Sequence, residues 1–264
     1  MDGTYAQFAS DQMSLWGHPF PHLNNAPITE AIIDFRVRLP AGFEILRLKE
    51  AHAQLSADYP TIEEQQVTQQ QFEQRLGQPP KLTARSQGVL GYRFLSGDNK
   101  SIVQFRRNGF AFNRLKPYPS WDQVFPEACR LWKIYSAVAH PEEISRIAIR
   151  FINRIQLPLP NLELPDYLTA PPPLPQGVPQ SLSGFLTRVV IQDPETKLAA
   201  NVVQALEPPL NEQYVSMILD IDVYQRDVSQ LTLEAVLGQF ARLREMKNRI
   251  FFGSLTEKAL ALFR

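Results

Sequence analysis

Glu143-Ile-Ser-Arg-Ile-Ala-Ile-Arg-Phe-Ile-Asn-Arg-Ile-Gln-Leu157 is the stretch of this sequence that decides the fold. Its residues alternate between apolar side chains and arginines: Ile147, Ile149, Phe151 and Ile155 against Arg146, Arg150 and Arg154. A period of two residues is typical of a β-strand with one face in the core and the other exposed. We therefore predict one long strand over residues 143–157.

Further strands and helices are predicted on both sides of this stretch. Apolar alternation indicates strands over residues 28–39, 89–95, 101–106, 109–115, 185–192, 197–206 and 214–224. Apolar residues spaced three and four apart predict helices over residues 43–58, 121–139, 231–246 and 254–263, the last opened by a capping box at Ser254. Asn108-Gly109 between two apolar runs predicts a tight hairpin, since both residues accept a positive φ. Residues 61–88 leave a long exposed strand and an irregular excursion equally open.

The order of these elements indicates an α+β fold. Strands joined by hairpins, with the helices set apart from them, favour a mainly antiparallel sheet or sheets with helices packed on one face. This order argues against a doubly wound nucleotide-binding fold, in which strands and helices alternate. Each side of a proline-rich segment holds a run of strands and a long helix, so two similar halves are also open.

Proline divides the chain into regions. Residues 158–184 are the most proline-dense part of a chain that contains 22 prolines. Because proline fits neither a strand ladder nor a helix interior, this segment is predicted to be an extended linker. We expect an N-terminal arm over 1–27, a first α+β half over 28–157, the linker over 158–184, and a second α+β half over 185–264. The two halves are expected to pack as one compact unit.

Composition excludes several classes of protein. The 27 Lys and Arg residues balance 27 Asp and Glu residues, so no overall field attracts nucleic acid or an anionic membrane. One cysteine forms no internal disulfide, and 4 histidines offer little material for a zinc site. The sequence shows no signal peptide and no apolar run of membrane-spanning length. We expect a cytoplasmic protein without membrane or nucleic-acid partners.

The arginines of the central strand are the first candidate site. Arg146, Arg150 and Arg154 lie about 13 Å apart along a strand, and guanidinium groups on one face are suited to binding an anion such as phosphate or a nucleotide. Arg36 and Arg38 extend this surface if the first strand is a neighbour. The alternative is a set of exposed arginines in ion pairs with nearby aspartates, which contribute little free energy.

Two aspartates form the second candidate site. Asp220 and Asp222 lie two residues apart on a predicted strand and therefore share a face. Paired carboxylates are suited to holding Mg²⁺ or Mn²⁺, although such sites take further ligands from nearby segments. With Asp34, the same aspartates are the expected partners of the arginines in the ion-pair alternative.

Signatures of catalysis are absent from the sequence. It contains no Gly-x-Ser-x-Gly elbow, phosphate loop or dinucleotide fingerprint. Cys129 lies in a predicted amphipathic helix with no histidine on the same face, which is typical of a core residue. We predict no catalytic residue, and no cofactor beyond the metal of the second candidate site.

Four stretches carry a resemblance to known proteins: Pro27–Ile33, Arg146–Ile155, Leu219–Asp222 and Phe251–Glu257. They resemble a family of sporadically distributed, uncharacterised bacterial proteins of similar length, and the likeness covers nearly the whole chain. The resemblance picks out Glu30, Arg150, Asn153, Arg154 and Asp220 without attaching a role to any of them. A patchy distribution of this kind implies, by association only, genes of conflict or defence.

These observations favour a non-enzymatic interaction or regulatory protein. Such a protein would act in a defence or toxin-neutralising system and would bind a protein partner or a second copy of itself. The alternative is an anion-binding enzyme or sensor that uses the arginine strand and the metal-bound aspartates. A weaker alternative is single-stranded nucleic-acid binding through the aromatic residues that alternate with arginines over 92–114.

Overall fold

A computed structural model of the protein describes residues 20–73, 81–180, 182–208, 211–228 and 232–264. Residues 1–19 of the predicted arm therefore lie outside the described residues. The strands within these ranges are β1 (Ile28–Arg38), β2 (Thr61–Glu73), β3 (Lys81–Leu95), β4 (Ser101–Arg106), β5 (Gly109–Leu115), β6 (Glu143–Pro158), β7 (Phe185–Asp193), β8 (Leu198–Leu206) and β9 (Tyr214–Arg226). The α-helices are α1 (Arg47–Glu50), α2 (His52–Leu55), α3 (Trp121–Ala139), α4 (Leu233–Ser254) and α5 (Glu257–Leu260).

The strands form one antiparallel sheet in the order β2-β3-β4-β5-β1-β6-β9-β8-β7. The predicted α+β class with a mainly antiparallel sheet is confirmed. The predicted strand over 143–157 is β6, which lies between β1 and β9. Within the stretch over 61–88 that the sequence left open, β2 and β3 pair as long antiparallel strands.

Two compact units divide the described residues. The first unit takes the residues up to Ile33 together with Arg114–Pro126 and Arg146–Arg264, and the second takes Asp34–Asn113 and Glu127–Ser145. The boundaries fall within β1, β5, α3 and β6, so these four elements contribute residues to both units. The proline-rich segment over 158–184 belongs to the first unit.

The first unit has a buried and an exposed sheet face. β6 and β9 pair with Arg150 opposite Asp222 and Ile152 opposite Asp220, so the even-numbered residues of both strands share a face. The odd-numbered residues are buried, among them Phe151. Helix α4 contacts β9 and is buried along one stripe, at Val236, Phe240, Leu243, Met246 and Phe251. The apolar alternation of β6 is thus satisfied by a core on one side of the sheet.

The second unit has an aromatic core. The rings of Phe35 and Trp132 stack with 4.2 Å between their centroids, and Phe105 meets Tyr135 edge to face at 5.2 Å. The aromatic residues of β3 to β5 are buried: Tyr92, Phe94, Phe105, Phe110 and Phe112. Their rings fill this core instead of forming an exposed surface on which bases could stack.

Turns and helix ends differ in detail from the predictions. The hairpin between β4 and β5 turns at Arg107 and Asn108, one residue before the predicted pair. Helix α4 continues to Ser254, whose hydroxyl donates to the Ile250 carbonyl at 2.7 Å. Thr256 instead caps α5 by accepting from the Ala259 amide at 3.3 Å, so the predicted cap at Ser254 was wrong. No helix in the described ranges combines the length and apolar character that crossing a membrane demands.

Candidate functional site

Each arginine of the predicted anion site on β6 contacts a carboxylate. Three guanidinium–carboxylate pairs lie in the first unit: Arg146 with Asp222, Arg150 with Asp220, and Arg154 with Glu207. In the first pair one guanidinium nitrogen lies 3.0 Å from both carboxylate oxygens, and in the second the two distances are 2.8 and 2.5 Å. The third pair is also joined by two hydrogen bonds. We call these three pairs the paired face.

The ion-pair alternative predicts the contacts with Asp220 and Asp222, whereas Glu207 is not among the partners expected from the sequence. Hydrogen bonds to Asp220 raise the pKa of Arg150 above its already high value, so the guanidinium is charged and shared with a carboxylate. An incoming anion would have to displace a carboxylate from each arginine that it binds. The pairs of Arg150 and Arg154, whose side chains are more than one third exposed, contribute about 0–1 kcal/mol each to stability. The pair of Arg146 with Asp222 is half-buried.

Arg36 and Arg38 lie in the second unit and are also paired. The Arg36 Nε lies 3.2 Å from Asp34, and Arg38 contacts Glu142 at 2.6 Å and Glu143 at 3.0 Å. Both arginines are more than one third exposed. Like the arginines of the paired face, both contact carboxylates. Arg36 contacts one within its own strand, and Arg38 contacts two around the start of β6.

The predicted metal ligands Asp220 and Asp222 direct their carboxylates to arginines. Their oxygens accept from Arg150 and Arg146 respectively, and Asp222 also accepts from the Asn201 amide at 3.3 Å. Throughout the described ranges, no three His, Cys, Asp or Glu side chains are grouped as a cation site. The metal site stays a prediction.

Cys129 is buried in α3, as expected for a core residue. Burial raises the pKa of its thiol to about 12, and the positive charge of Lys133 offsets only part of this shift. The thiolate is the nucleophilic form of cysteine, so Cys129 is unreactive at neutral pH.

β7 ends the sheet and exposes apolar side chains on both of its faces. It pairs with β8 along one edge, and in the strand order it has no neighbour on the other. Leu186, Val189, Val190 and Ile191 are 72%, 52%, 52% and 40% exposed. A long apolar edge strand offers a free row of backbone donors and acceptors to another strand. We call this surface the β7 edge.

A cleft of about 470 Å³ lies in the first unit. Four parts of the chain form its walls: residues 20–28, residues 118–122 at the start of α3, the middle of β6, and the second half of α4. Backbone hydrogen bonds hold the first of these in place, from Asn25 to the Phe263 carbonyl at 3.0 Å and from Arg154 to the Pro27 carbonyl at 2.8 Å. Aromatic rings share the lining with polar side chains, and six of the lining residues are aromatic: Phe20, Tyr118, Trp121, Phe151, Phe251 and Phe252. The volume of the cleft lies within the usual range for small-molecule sites.

Two cations line this cleft on consecutive turns of α4. The Arg244 guanidinium lies 5.5 Å from the centre of the Trp121 ring, and the Lys247 Nζ lies 4.4 Å from the centre of the Phe151 ring. Among the residues that the structure describes, no carboxylate forms an ion pair with either cation. Burial lowers the pKa of Lys247, the charge of Arg244 adds a smaller shift in the same direction, and together they bring it to about 7.

Neutral polar groups complete the cleft. Burial raises the pKa of Tyr118, so its phenol stays protonated and can donate a hydrogen bond. Asn153 is 1% exposed, and its side-chain nitrogen donates to the Leu219 carbonyl at 2.9 Å. Asp122 and His22 are exposed and lie at the rim. The cleft thus combines aromatic walls, two positive charges and a hydroxyl donor.

Arg244 and Lys247 are not among the residues predicted from the sequence. A signal for Lys247 exists, because it is spaced in line with the buried residues Phe240, Leu243 and Phe251 of α4 and is itself half-buried. A lysine within such a stripe breaks the apolar pattern that specifies a helix against a sheet. Of the cleft residues, the family resemblance picked out Asn153, without a role.

Comparison with known proteins adds no further constraint on the site. No family model matches the chain, and a search of the curated proteins finds no match. The resemblance drawn from the sequence therefore stays a prediction. The geometry of the paired face, the β7 edge and the cleft carries the functional argument.

Proposed function

We propose that this chain is a non-enzymatic interaction protein that associates with a second copy of itself through the β7 edge. The observation that carries the proposal is the exposure of four large apolar side chains on the last strand of the sheet. An edge strand of a monomer is normally protected by charges, prolines or a covering segment. Three consecutive β-branched residues, Val189 to Ile191, provide none of this protection.

A two-fold axis at Val190 gives the best match between two copies of β7. Antiparallel pairing about this axis sets Val190 against Val190 on one face and Val189 against Ile191 on the other. Arg188 then faces Gln192, so no like charges are opposed. Cross-strand apolar pairs each contribute about 0.2–1 kcal/mol, which supports a dimer whose formation depends on concentration.

The experiment is a measurement of mass by sedimentation equilibrium from low micromolar to submillimolar protein. We expect the wild type to shift from monomer to dimer and Val190→Lys to stay monomeric, because a lysine desolvated at the strand interface is costly. Leu262→Lys is the control, since Leu262 is a comparably exposed apolar residue outside the β7 edge. A monomeric wild type at every concentration, a dimeric Val190→Lys, or loss of the dimer in Leu262→Lys would contradict the proposal.

We also propose a cytoplasmic, regulatory role in a bacterial defence or toxin-neutralising system. The support for this part is the sequence resemblance and the balanced charge of the chain, which favours neither nucleic acid nor membrane. Co-purification of the protein with the product of an adjacent gene, lost in Val190→Lys, is the expected result. A complex that forms equally well with Val190→Lys would assign the partner to another surface.

A further inference from the structure

The cleft contains a charge arrangement that folding alone does not account for. Lys247 lies over the Phe151 ring, and within the described part of the chain no carboxylate is paired with it, so it loses hydration and gains a cation–π contact in return. Arg244 lies one turn away and adds a repulsive charge. An apolar residue at position 247 would continue the buried stripe of α4 without this cost. The two cations are therefore better explained by a bound anionic ligand than by folding.

We propose that this cleft binds a flat organic anion, an aromatic or similarly planar molecule that carries a phosphate or carboxylate group. The site is independent of the β7 edge and of the function proposed for it. Arg244 and Lys247 would bind the anionic group, and the aromatic walls would bind the planar part.

The chemistry of the lining selects this class of ligand. A guanidinium offers two parallel N–H donors to phosphate or carboxylate oxygens, and an ammonium adds a point charge from a second direction. The Tyr118 hydroxyl supplies a third donor, because burial keeps the phenol protonated. Aromatic rings prefer stacked or edge-to-face contacts with other rings, and Phe20 and Phe252 already stack at 5.2 Å at the wall.

The size of the cleft agrees with one bound ring and its anionic group. Its volume of about 470 Å³ lies in the lower half of the usual range for small-molecule pockets. Asp122 at the rim is the carboxylate of the lining, and it forms no ion pair with either cation in the described part of the chain. A ligand that places its negative charge between Arg244 and Lys247 is therefore favoured over a cationic or neutral one.

The experiment compares three probes of one shape and different charge by calorimetry at neutral pH. Phenyl phosphate and benzoate carry the proposed groups, and benzyl alcohol is the neutral control. We expect saturable binding of both anions, with phenyl phosphate the tighter because its higher charge faces two cations, and binding of benzyl alcohol at least about tenfold weaker. The tighter anion identifies the group that the natural ligand carries.

Three variants of α4 assign the binding to the cleft. Lys247→Met and Arg244→Gln each remove one cation, and each should weaken phenyl phosphate at least about tenfold. Arg242→Gln makes the matched change of charge at an exposed position on the same helix, where Arg242 contacts Gln239, and should leave the affinity unchanged. Absence of saturable binding to the wild type, equal binding of benzyl alcohol, or unchanged affinity in both cleft variants would overturn the proposal.

Discussion

The paired face and the cleft place similar cations in opposite surroundings. On the paired face every arginine of β6 meets a carboxylate from β9 or from the end of β8, and the charges cancel locally. In the cleft, Arg244 and Lys247 lie over aromatic rings and no carboxylate is paired with them in the described residues. The arginines of the paired face are easy to recognise in the sequence, but their charges are already neutralised. The cations of the cleft are hard to recognise in the sequence, but their charges are available to a ligand.

The contrast shows why counting arginines along a strand does not locate an anion site. The attraction of a cation for a ligand depends on what already neutralises it and on how much water surrounds it. The paired face satisfies its guanidiniums at the surface, so removing one member leaves its partner without a counter-charge. In the cleft, none of the described carboxylates neutralises Arg244 or Lys247, so removing one of these cations relieves a cost. Substitutions in the two regions should therefore have opposite effects on stability.

The largest effect is expected on the paired face. Arg146→Met should lower the free energy of unfolding by about 2 kcal/mol, because Asp222 loses its half-buried partner and the ring of Tyr224 loses a guanidinium at 4.6 Å. Urea unfolding followed by circular dichroism measures the change. Arg188→Met is the control, since Arg188 is exposed and makes one hydrogen bond, to Asn201. Equal losses in the two variants would remove the energetic distinction of the paired face.

The next effect concerns the pH dependence of anion binding. Benzoate should bind about tenfold more weakly near pH 8.5 than near pH 6.5, because Lys247, with a pKa of about 7 in the free protein, loses its proton over this range. Bound anion favours the charged amine and so raises its pKa. Burial raises the pKa of Tyr118, so its phenol stays protonated over this range.

The control for this pH effect is Lys247→Met, which retains Arg244 and His22 in the cleft. Its affinity for benzoate should be weak and independent of pH over the same range. A pH profile that persists in Lys247→Met would assign the titration to a group other than Lys247.

The smallest effect is a gain of stability. Lys247→Met should raise the free energy of unfolding by about 1 kcal/mol near pH 7, since methionine fills the same space without the cost of a desolvated amine. The folded-state pKa of about 7 lies below the ordinary value of 10.5, so the unfolded chain binds more protons between these values. Wild-type stability therefore rises with pH across this window, and the gain of the variant should shrink towards pH 10.

Chemical unfolding of both proteins at several pH values checks this prediction. A stability difference that is constant with pH would mean that Lys247 is charged in the folded protein at every pH. Loss of stability in Lys247→Met would reverse the contrast between the cleft and the paired face.

Much of the fold could be predicted from short-range pattern. The alternation of apolar and charged residues over 143–157 predicted β6. Apolar residues spaced three and four positions apart predicted α3 and α4. The same reasoning failed at Ser254, because α4 continues beyond its predicted end at Met246, buries Phe251 and takes in Ser254 as its last residue. It left 61–88 open, where polar residues form β2 and β3 without an apolar period to reveal them.

The cleft could not be predicted in this way. It joins Trp121 of α3, Phe151 of β6 and Lys247 of α4, which are far apart in the sequence. Phe20, from the segment before β1, completes it. Strand order and helix placement decide such a meeting, and neither can be read from the spacing of single residues. The lysine within the apolar stripe of α4 was the one local sign of it.

The sequence by itself determined the elements, the α+β class and the charged and apolar sides of β6. These follow from periodicity, because a strand or helix must bury one side and expose the other. Only the tertiary structure decided which charges are neutralised, since that depends on register: Arg150 reaches Asp220 through the pairing of β6 with β9, whereas no strand brings a carboxylate to Lys247 in the described residues. Whether a charge is neutralised depends on its distance in space to the nearest opposite charge, and the spacing of residues in the sequence does not give that distance.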